Sequence, residues 1–253
     1  MVTSNKIAQQ LSISIGNLLF RHFFPVYNII YPIFKYRQDA EEIEFLKRTV
    51  KKGDVVLDIG ANIGFYSKIL SDLVGPSGKV YSFEPDKVNF NYFLKNTNGL
   101  TNIVPVNKAV ADQTKTLKLY TSKLLNVDHR TYKVDEYEKE LTIDAVSIDD
   151  FVNDTFKVDF IKMDIQGFEV SALKGMKQTF VKNRTAKMLT ELWPYGLRKA
   201  GHSCAELINL VEQYGLMVHE LKDDETKPLD KNRISRIENA EFEFGLNIFI
   251  ARE

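Results

Sequence analysis

Short runs of β-branched and aromatic residues alternate with amphipathic segments along most of this chain, and that alternation limits the folds open to it. From Val55 onward, "VVLDIG" reads as a buried strand, "IGFYSKILSDLV" as a helix, "KVYSFEP" as a strand and "DKVNFNYFLKNTN" as a helix. "IVPVNKAV" and "TLKLYTS" read as strands, followed by the strand "VDFIKMDI" and the helix "FEVSALKGMKQTFV". "AKMLTELW" (strand), "SCAELINLVEQYG" (helix) and "LMVHEL" (strand) lead to a closing strand, "FGLNIFIA", with "KDDETKPLDKNR" as a polar surface loop before it. Strands alternating with helices of about 10–15 residues predict an α/β fold with a mostly parallel sheet covered on both faces.

The chain has 253 residues, 44% of them hydrophobic, enough for one sizeable domain with an appended segment. Residues 1–37 differ from the rest, because "LLFRHFFPVYNIIYPIFKYR" is crowded with aromatics. They are expected to form a helical arm whose apolar face packs on the domain or on a second subunit, making a homo-oligomer; a lid, or an arm resting on a membrane surface, are the other readings. From Gln38 to Lys51, Ile43, Leu46 and Val50 fall at helical spacing, so the domain is taken as 38–253. Lys+Arg and Asp+Glu are 34 each, which argues against a chain built to coat nucleic acid or an anionic membrane, without excluding a local basic patch. Cys204 is the single cysteine, no Cys/His cluster has zinc spacing, and no uncharged apolar run reaches about 18 residues. With no recognisable signal peptide, the expected setting is cytoplasmic, without an integral membrane segment.

"VVLDIGANIGFYS" (Val55–Ser67) places an acid and two glycines where a strand becomes a helix. In an open α/β sheet, ligands sit beyond the carboxyl ends of the strands, where strand order reverses. Gly60 permits the sharp turn, Gly64 lets the next helix pack close to the strand, and Asp58 lies at the mouth beside the positive helix end. A dinucleotide fingerprint, Gly-x-Gly-x-x-Gly, brings backbone against a pyrophosphate; here Asn62 replaces the middle glycine and the spacing is one residue short. A second acid, Glu84, ends the next strand, where it can accept both hydroxyls of a ribose. Two acids without a phosphate cradle suit a ligand with a ribose and positive groups, and S-adenosylmethionine is one. The competing structural reading makes Asn62 a helix cap and Glu84 a capped strand end.

"VVLDIGANIGFYS", "VYSFEPD", "NKAVAD" and "DFIKMDIQGFEVSALKGM" together resemble the FkbM family of S-adenosylmethionine-dependent methyltransferases, over roughly residues 50–251. The resemblance implies a class I methyltransferase fold: a Rossmann-like, doubly wound, seven-stranded sheet whose last strand is antiparallel, here preceded by the helical arm. It implies O-methylation of a hydroxyl on a sugar, a glycan or a secondary metabolite. It carries Ala109, in "NKAVAD", to the cofactor pocket beside Asp58, Gly60, Asn62, Gly64, Glu84 and Asp164. Gln166 departs from the family pattern, which most often has glutamate there.

In "VDFIKMDIQGFE", Lys162, Asp164 and Gln166 share one strand face. A lysine on a buried parallel strand needs a partner, and Asp58 or Asp164 is the expected one. Asp164, at the carboxyl end, lies where donor and acceptor meet. Glu169 opens the following helix, where the helix dipole alone would favour it. Glu191 ends the next strand and is a candidate for an acceptor hydroxyl or the cofactor's ammonium. Trp193 and Tyr195 either stack on a sugar face or shield the pocket. His129, in the loop "NVDHRTY", is by itself an ordinary surface histidine, but family members often carry a similar Asp-His-Arg turn. With its near-neutral pKa, His129 is the expected general base, Asp164 the positioning carboxylate, and Glu191 the next candidate. Arg130 is placed to hold an anionic part of the acceptor. No metal is required by the spacing, although magnesium would be compatible with Asp164 and Glu191. The rival readings are weaker. A nicotinamide oxidoreductase lacks its fingerprint, and a nucleic-acid methyltransferase lacks a basic face and the Asn/Asp-Pro-Pro-Tyr/Phe run.

Overall fold

The computed structural model describes residues 15–122, 129–132, 137–222, 225–239 and 244–252. Its centre is β1 (Val55–Ile59), paired in parallel with β2 (Lys79–Phe83) on one side and with β7 (Phe160–Met163) on the other. Beyond β2 lies β3 (Ile103–Val106), and beyond β7 lies β8 (Lys187–Leu192), both parallel. The last strand, β11 (Leu246–Ala251), inserts antiparallel between β8 and β9 (Met217–Lys222). Strand order therefore reverses between β1 and β7, which puts the ligand-binding crevice at their carboxyl ends.

Both faces of the sheet are covered, as the continuous apolar runs require. On one face, α3 (Ala40–Thr49), α4 (Phe65–Val74) and α5 (Lys87–Asn96) pack Leu46, Leu70 and Phe93 against Val56, Val80 and Phe160. On the other, α6 (Ile148–Val152), α7 (Glu169–Lys174), α8 (Lys177–Lys182) and α10 (Cys204–Gln213) bury Ile148, Leu173, Phe180 and Leu207 against Leu57, Ile161 and Ile250. Each such side chain contributes about 1.5–3 kcal/mol by leaving water.

The main sheet has eight strands, one more than expected. The extra strand, β10 (Glu225–Pro228), lies within the predicted polar loop and pairs antiparallel with β9; α11 (Lys231–Ile237) begins in the same stretch. All four β10 residues are exposed, so this edge strand left no apolar alternation to read. "IVPVNKAV" is not one strand either. It breaks after β3, and β4 (Ala109–Val110) joins a second sheet of order β4-β6-β5, with β5 (Lys115–Thr121) and β6 (Lys139–Val146). The helix expected over "FEVSALKGMKQTFV" is interrupted at Gly175, where a Cβ would stand 2.2 Å from the Ala111 carbonyl oxygen.

In the arm, helical residues 15–22 (α1) and α2 (Phe24–Gln38) lead into α3. Phe20 and Tyr27 are buried against Ile63, and Phe24 stacks on Tyr92 of α5 with ring centroids 3.6 Å apart. The inner face of the arm therefore rests on the turn after β1. The first 14 residues of the arm lie outside the described residues.

That turn depends on Gly60. Its φ is +87°, and a Cβ there would stand 2.0 Å from the backbone oxygen of Asp164, at the end of β7. Gly60→Ala is expected to destabilise the fold by at least about 2 kcal/mol, combining left-handed strain with a backbone clash that no rotamer relieves. Urea denaturation followed by circular dichroism measures this, and an unchanged midpoint would contradict the close approach of β1 and β7.

Candidate active site

The turn after β1 is organised around Glu84, the acid that follows β2. Its Oε2 accepts the Asn62 N–H at 2.9 Å and its Oε1 accepts the Asp86 N–H at 2.8 Å. Burial pushes the Glu84 carboxyl up to about 8, with those two backbone donors acting in the opposite sense. Asn62 takes a left-handed conformation (φ 51°), and its Oδ1 accepts from the Ile63 N–H rather than capping α4, whose N-cap is Gly64. Gly64 makes room for a different neighbour from the one expected. A Cβ there would meet Thr97 and Phe93 of the α5 region at 3.0 and 3.2 Å, so the glycine admits a helix rather than the strand.

Gly60, Asn62, Glu84, Ala109 and Asp164 line one cleft. Phe83, Val110, Ile165 and Phe168 give it apolar walls, with His129 and Thr131 along one side. A buried carboxylate between apolar walls, beside a turn with no pyrophosphate cradle, fits the nucleoside end of S-adenosylmethionine. Asp58, expected at the mouth, is instead fully buried below it, where it accepts from Ser67 Oγ at 2.5 Å. Its other carboxylate oxygen, Oδ1, has no hydrogen-bond partner among the described residues. Burial raises the Asp58 carboxyl, while Lys162 and Ser67 act against that.

Lys162 faces Asp58 across the β1–β7 register and is buried, with Nζ 3.6 Å from Asp164 Oδ2 and 4.3 Å from the centre of the Tyr66 ring. Asp164 is thus partnered as expected. Desolvation pushes its carboxyl up, but Lys162, Lys35 and the Gln166 amide, which donates to Oδ1 at 2.7 Å, outweigh it and leave the group below the usual range. Glu169 supports this turn from beneath. Its Oε1 accepts from the N–H groups of Ile165 and Gly167, and burial holds its carboxyl near 7.

Asp164 and Gln166 also line a second, polar pocket, together with Lys35, Asp39, Glu42 and Glu191. Glu191, at the end of β8, is pushed up to about 8 by burial and then by Asp164, Glu169 and Glu42, with Lys35 acting against them. Gly245 gives it space, since a Cβ there would lie 2.0 Å from Glu191 Oε1. Lys35 pairs with Asp39 at 2.6 Å. Tyr66 has one hydroxyl proton, yet its oxygen lies 2.6 Å from Asp39 Oδ2 and 2.8 Å from Glu42 Oε2. The second contact needs a proton on a carboxyl, and Glu42 is the one that burial and Asp39 push up. Asn247 of β11 donates to the other Glu42 oxygen at 2.8 Å.

Not every expected residue reaches these clefts. Arg130 and Trp193 are buried against each other, the guanidinium 5.2 Å from the indole centre, and neither is among the residues lining the two pockets. Trp193 is also pressed onto Gly196, where a Cβ would stand 2.0 Å from the indole ring. His129 lines the nucleoside-type cleft, and its Nδ1 accepts from the Ser122 N–H at 3.3 Å. Lys35, Asp39, Glu42 and Asn247 were missed. The signal for the first three was present in the spacing Lys35-x3-Asp39-x2-Glu42, charged residues about one helical turn apart at the end of an aromatic-rich arm.

Comparison with known proteins supports the same reading. The family described as the methyltransferase FkbM domain matches residues 58–216, well over half the chain. The hexuronic acid methyltransferase AglP of Haloferax volcanii is 27% identical over 143 residues, which is 55% of this chain and 57% of that protein. This chain thus spans little more than half the length of that relative. A protein of Saccharolobus solfataricus described as a cobalt-precorrin-6B C(15)-methyltransferase is 25% identical over 156 residues, 56% of this chain and 77% of its own length. Among solved structures, a SAM dependent methyltransferase from Aquifex aeolicus is 20% identical, covering 82% of this chain and 87% of that one with a TM-score of 0.44, a likeness too slight to add to the assignment. The family match begins at Asp58 and takes in the turn, Glu84, Asp164 and Glu191, so the chain belongs to the FkbM family of S-adenosylmethionine-dependent methyltransferases.

Proposed function

We propose that this protein methylates a hydroxyl of a sugar, glycan or related polyhydroxylated metabolite. The observation that carries the reading is the position of Asp164 and Gln166, which border both the nucleoside-type cleft and the polar pocket. A donor in the first and an acceptor in the second would meet there. S-adenosylmethionine, when bound, supplies an electrophilic methyl group on a sulfonium that leaves as a neutral thioether. The chain's own residues then have mainly to position and align. Glu84 holds the ribose, with Gly60, Asn62 and Ala109 around the nucleoside and Asp164 orienting the methionyl end or the incoming hydroxyl. Residues 1–37 form the arm that completes the acceptor wall through Lys35, and 38–253 form the catalytic domain. The hexuronic acid methyltransferase relative supports a sugar acceptor, as does a pocket lined by carboxyl and amide groups.

For the general base, the geometry favours Glu191 over His129. Glu191 lies in the polar pocket, close enough to Asp164 to feel its charge, and its pKa of about 8 suits proton abstraction near neutrality. His129 lies in the other cleft. A carboxyl acts as a base only when ionised, so turnover is expected to rise as pH rises through about 8. A histidine base would give a rise near 6.5.

Two measurements test the proposal. Glu84→Ala should weaken S-adenosylmethionine binding by about 2–3 kcal/mol, roughly a hundredfold, by calorimetry, because ribose hydrogen bonds and the anchor for the Asn62 N–H are lost together. Unchanged affinity would remove the ribose assignment. With labelled methyl donor and a panel of neutral and acidic sugars, Glu191→Gln should lower kcat by about 10²–10⁴-fold and abolish the pH step, while His129→Ala stays within a few-fold of the unaltered enzyme. The opposite pattern would make His129 the base.

A further inference from the structure

The arm leaves one apolar face bare. On α2, Val26, Ile29, Ile30, Ile33 and Phe34 recur at intervals of three and four and so share a stripe; Ile29 is 68% exposed and Phe34 61%. The opposite side, with Tyr27 and Tyr31, packs on Ile63 and Phe65. Phe23 and Tyr36 add exposed aromatic rings near the two ends of the helix. A stripe of this kind on a chain in water marks a contact with something else.

Charge indicates what that is. Residues 1–38 contain no Asp or Glu but carry Lys6, Arg21, Lys35 and Arg37, of which Arg21 pairs with Glu138 and Lys35 with Asp39. The whole chain has 34 acids in 253 residues, so a segment of 38 at that density would hold about five. Excluding acids brings no benefit at a contact between two copies, where a two-fold axis would set the arms' cations against each other. It does benefit a surface that is itself negative. We infer that the exposed face of α2 docks on an anionic lipid bilayer, lying in the headgroup region with its apolar stripe inserted and Arg37 among the phosphates. The helix lies on the bilayer rather than crossing it: α2 has 15 residues, with Pro32 inside it, and no helix among the described residues is long and apolar enough to cross a membrane. Lys35 and Gln38, at the carboxyl end of the same helix, border the polar pocket, so docking holds that pocket beside the bilayer surface. This inference does not depend on which acceptor the enzyme methylates.

The test is co-sedimentation of the full-length protein with phosphatidylcholine vesicles, with and without phosphatidylglycerol. Binding is expected only with the anionic lipid, weakening as salt is raised. The double variant Ile29→Ser/Ile33→Ser should reduce the bound fraction at least tenfold while keeping the melting curve and S-adenosylmethionine affinity of the parent, because both side chains are exposed. Arg37→Glu, which leaves the stripe intact, should also weaken binding to anionic vesicles. Equal binding to neutral vesicles, or undiminished binding by the double variant, overturns the inference. So does failure of the parent to bind while the double variant converts a dimer to a monomer in light scattering, which would make the stripe a contact between copies.

Discussion

A lysine buried on a central strand governs this structure. Lys162 is 4% exposed, in a sheet covered on both faces, and removing an ammonium from water costs several kcal/mol unless partners compensate. Its surroundings are those partners: Asp58 opposite it on β1, Asp164 one position beyond the end of its own strand, and the face of Tyr66 above. The same register brings Gly60 against the Asp164 carbonyl, so the turn after β1 and the carboxylate that borders both clefts are fixed by one pairing of strands. Such buried pairs add little net stability, but removing one partner is strongly destabilising, which pins their geometry.

The carboxyl groups around Lys162 are driven apart by their settings. Asp164 has two cations and an amide donor and stays low. Glu84, buried, and Glu42 and Glu191, half-buried, have less compensation and are pushed up. Separation of that kind marks sites where acid and base roles are divided. The Lys35–Asp39 and Lys162–Asp164 pairs balance each other's charge within the polar pocket, and the raised carboxyls and amides there offer both donors and acceptors. Hydroxyl groups, which both donate and accept, match such a lining.

Much of this was legible in the sequence because burial left a periodic record. β1, β2, β7 and their helices follow the hydrophobic pattern, and the end of each strand could be marked by its acid. β10 left no such record, since its four residues are exposed and it pairs at the edge of the sheet. Asp58 was assigned to the right strand end but to the wrong depth, because sequence cannot show that Ser67 and Lys162 draw the side chain inward. Arg130 and Trp193 were chosen as ligand-binding groups by type, and the structure stacks the guanidinium over the indole. The arm's polar contribution was hidden by its aromatics: Lys35, Asp39 and Glu42 reach the pocket only because α2 and α3 cross the mouth of the sheet.

Gln166 shows how a single departure from the family pattern can be read physically. It takes a left-handed backbone (φ 54°) immediately before Gly167, so the chain doubles back and the side chain meets the residue two positions earlier. Its Nε2 donates to Asp164 Oδ1 at 2.7 Å, and its backbone oxygen accepts from Tyr132 Oη at 3.0 Å. A glutamate here would set a second carboxylate against Asp164 and push its pKa up, unless a bound cation or a proton intervened. The amide does the reverse, favouring the ionised Asp164 with no outside partner. In this chain the carboxylate where the two clefts meet is therefore held charged by Lys162 and Lys35 and oriented by the Gln166 amide before a ligand arrives. Orientation of that kind lowers the cost of aligning donor and acceptor.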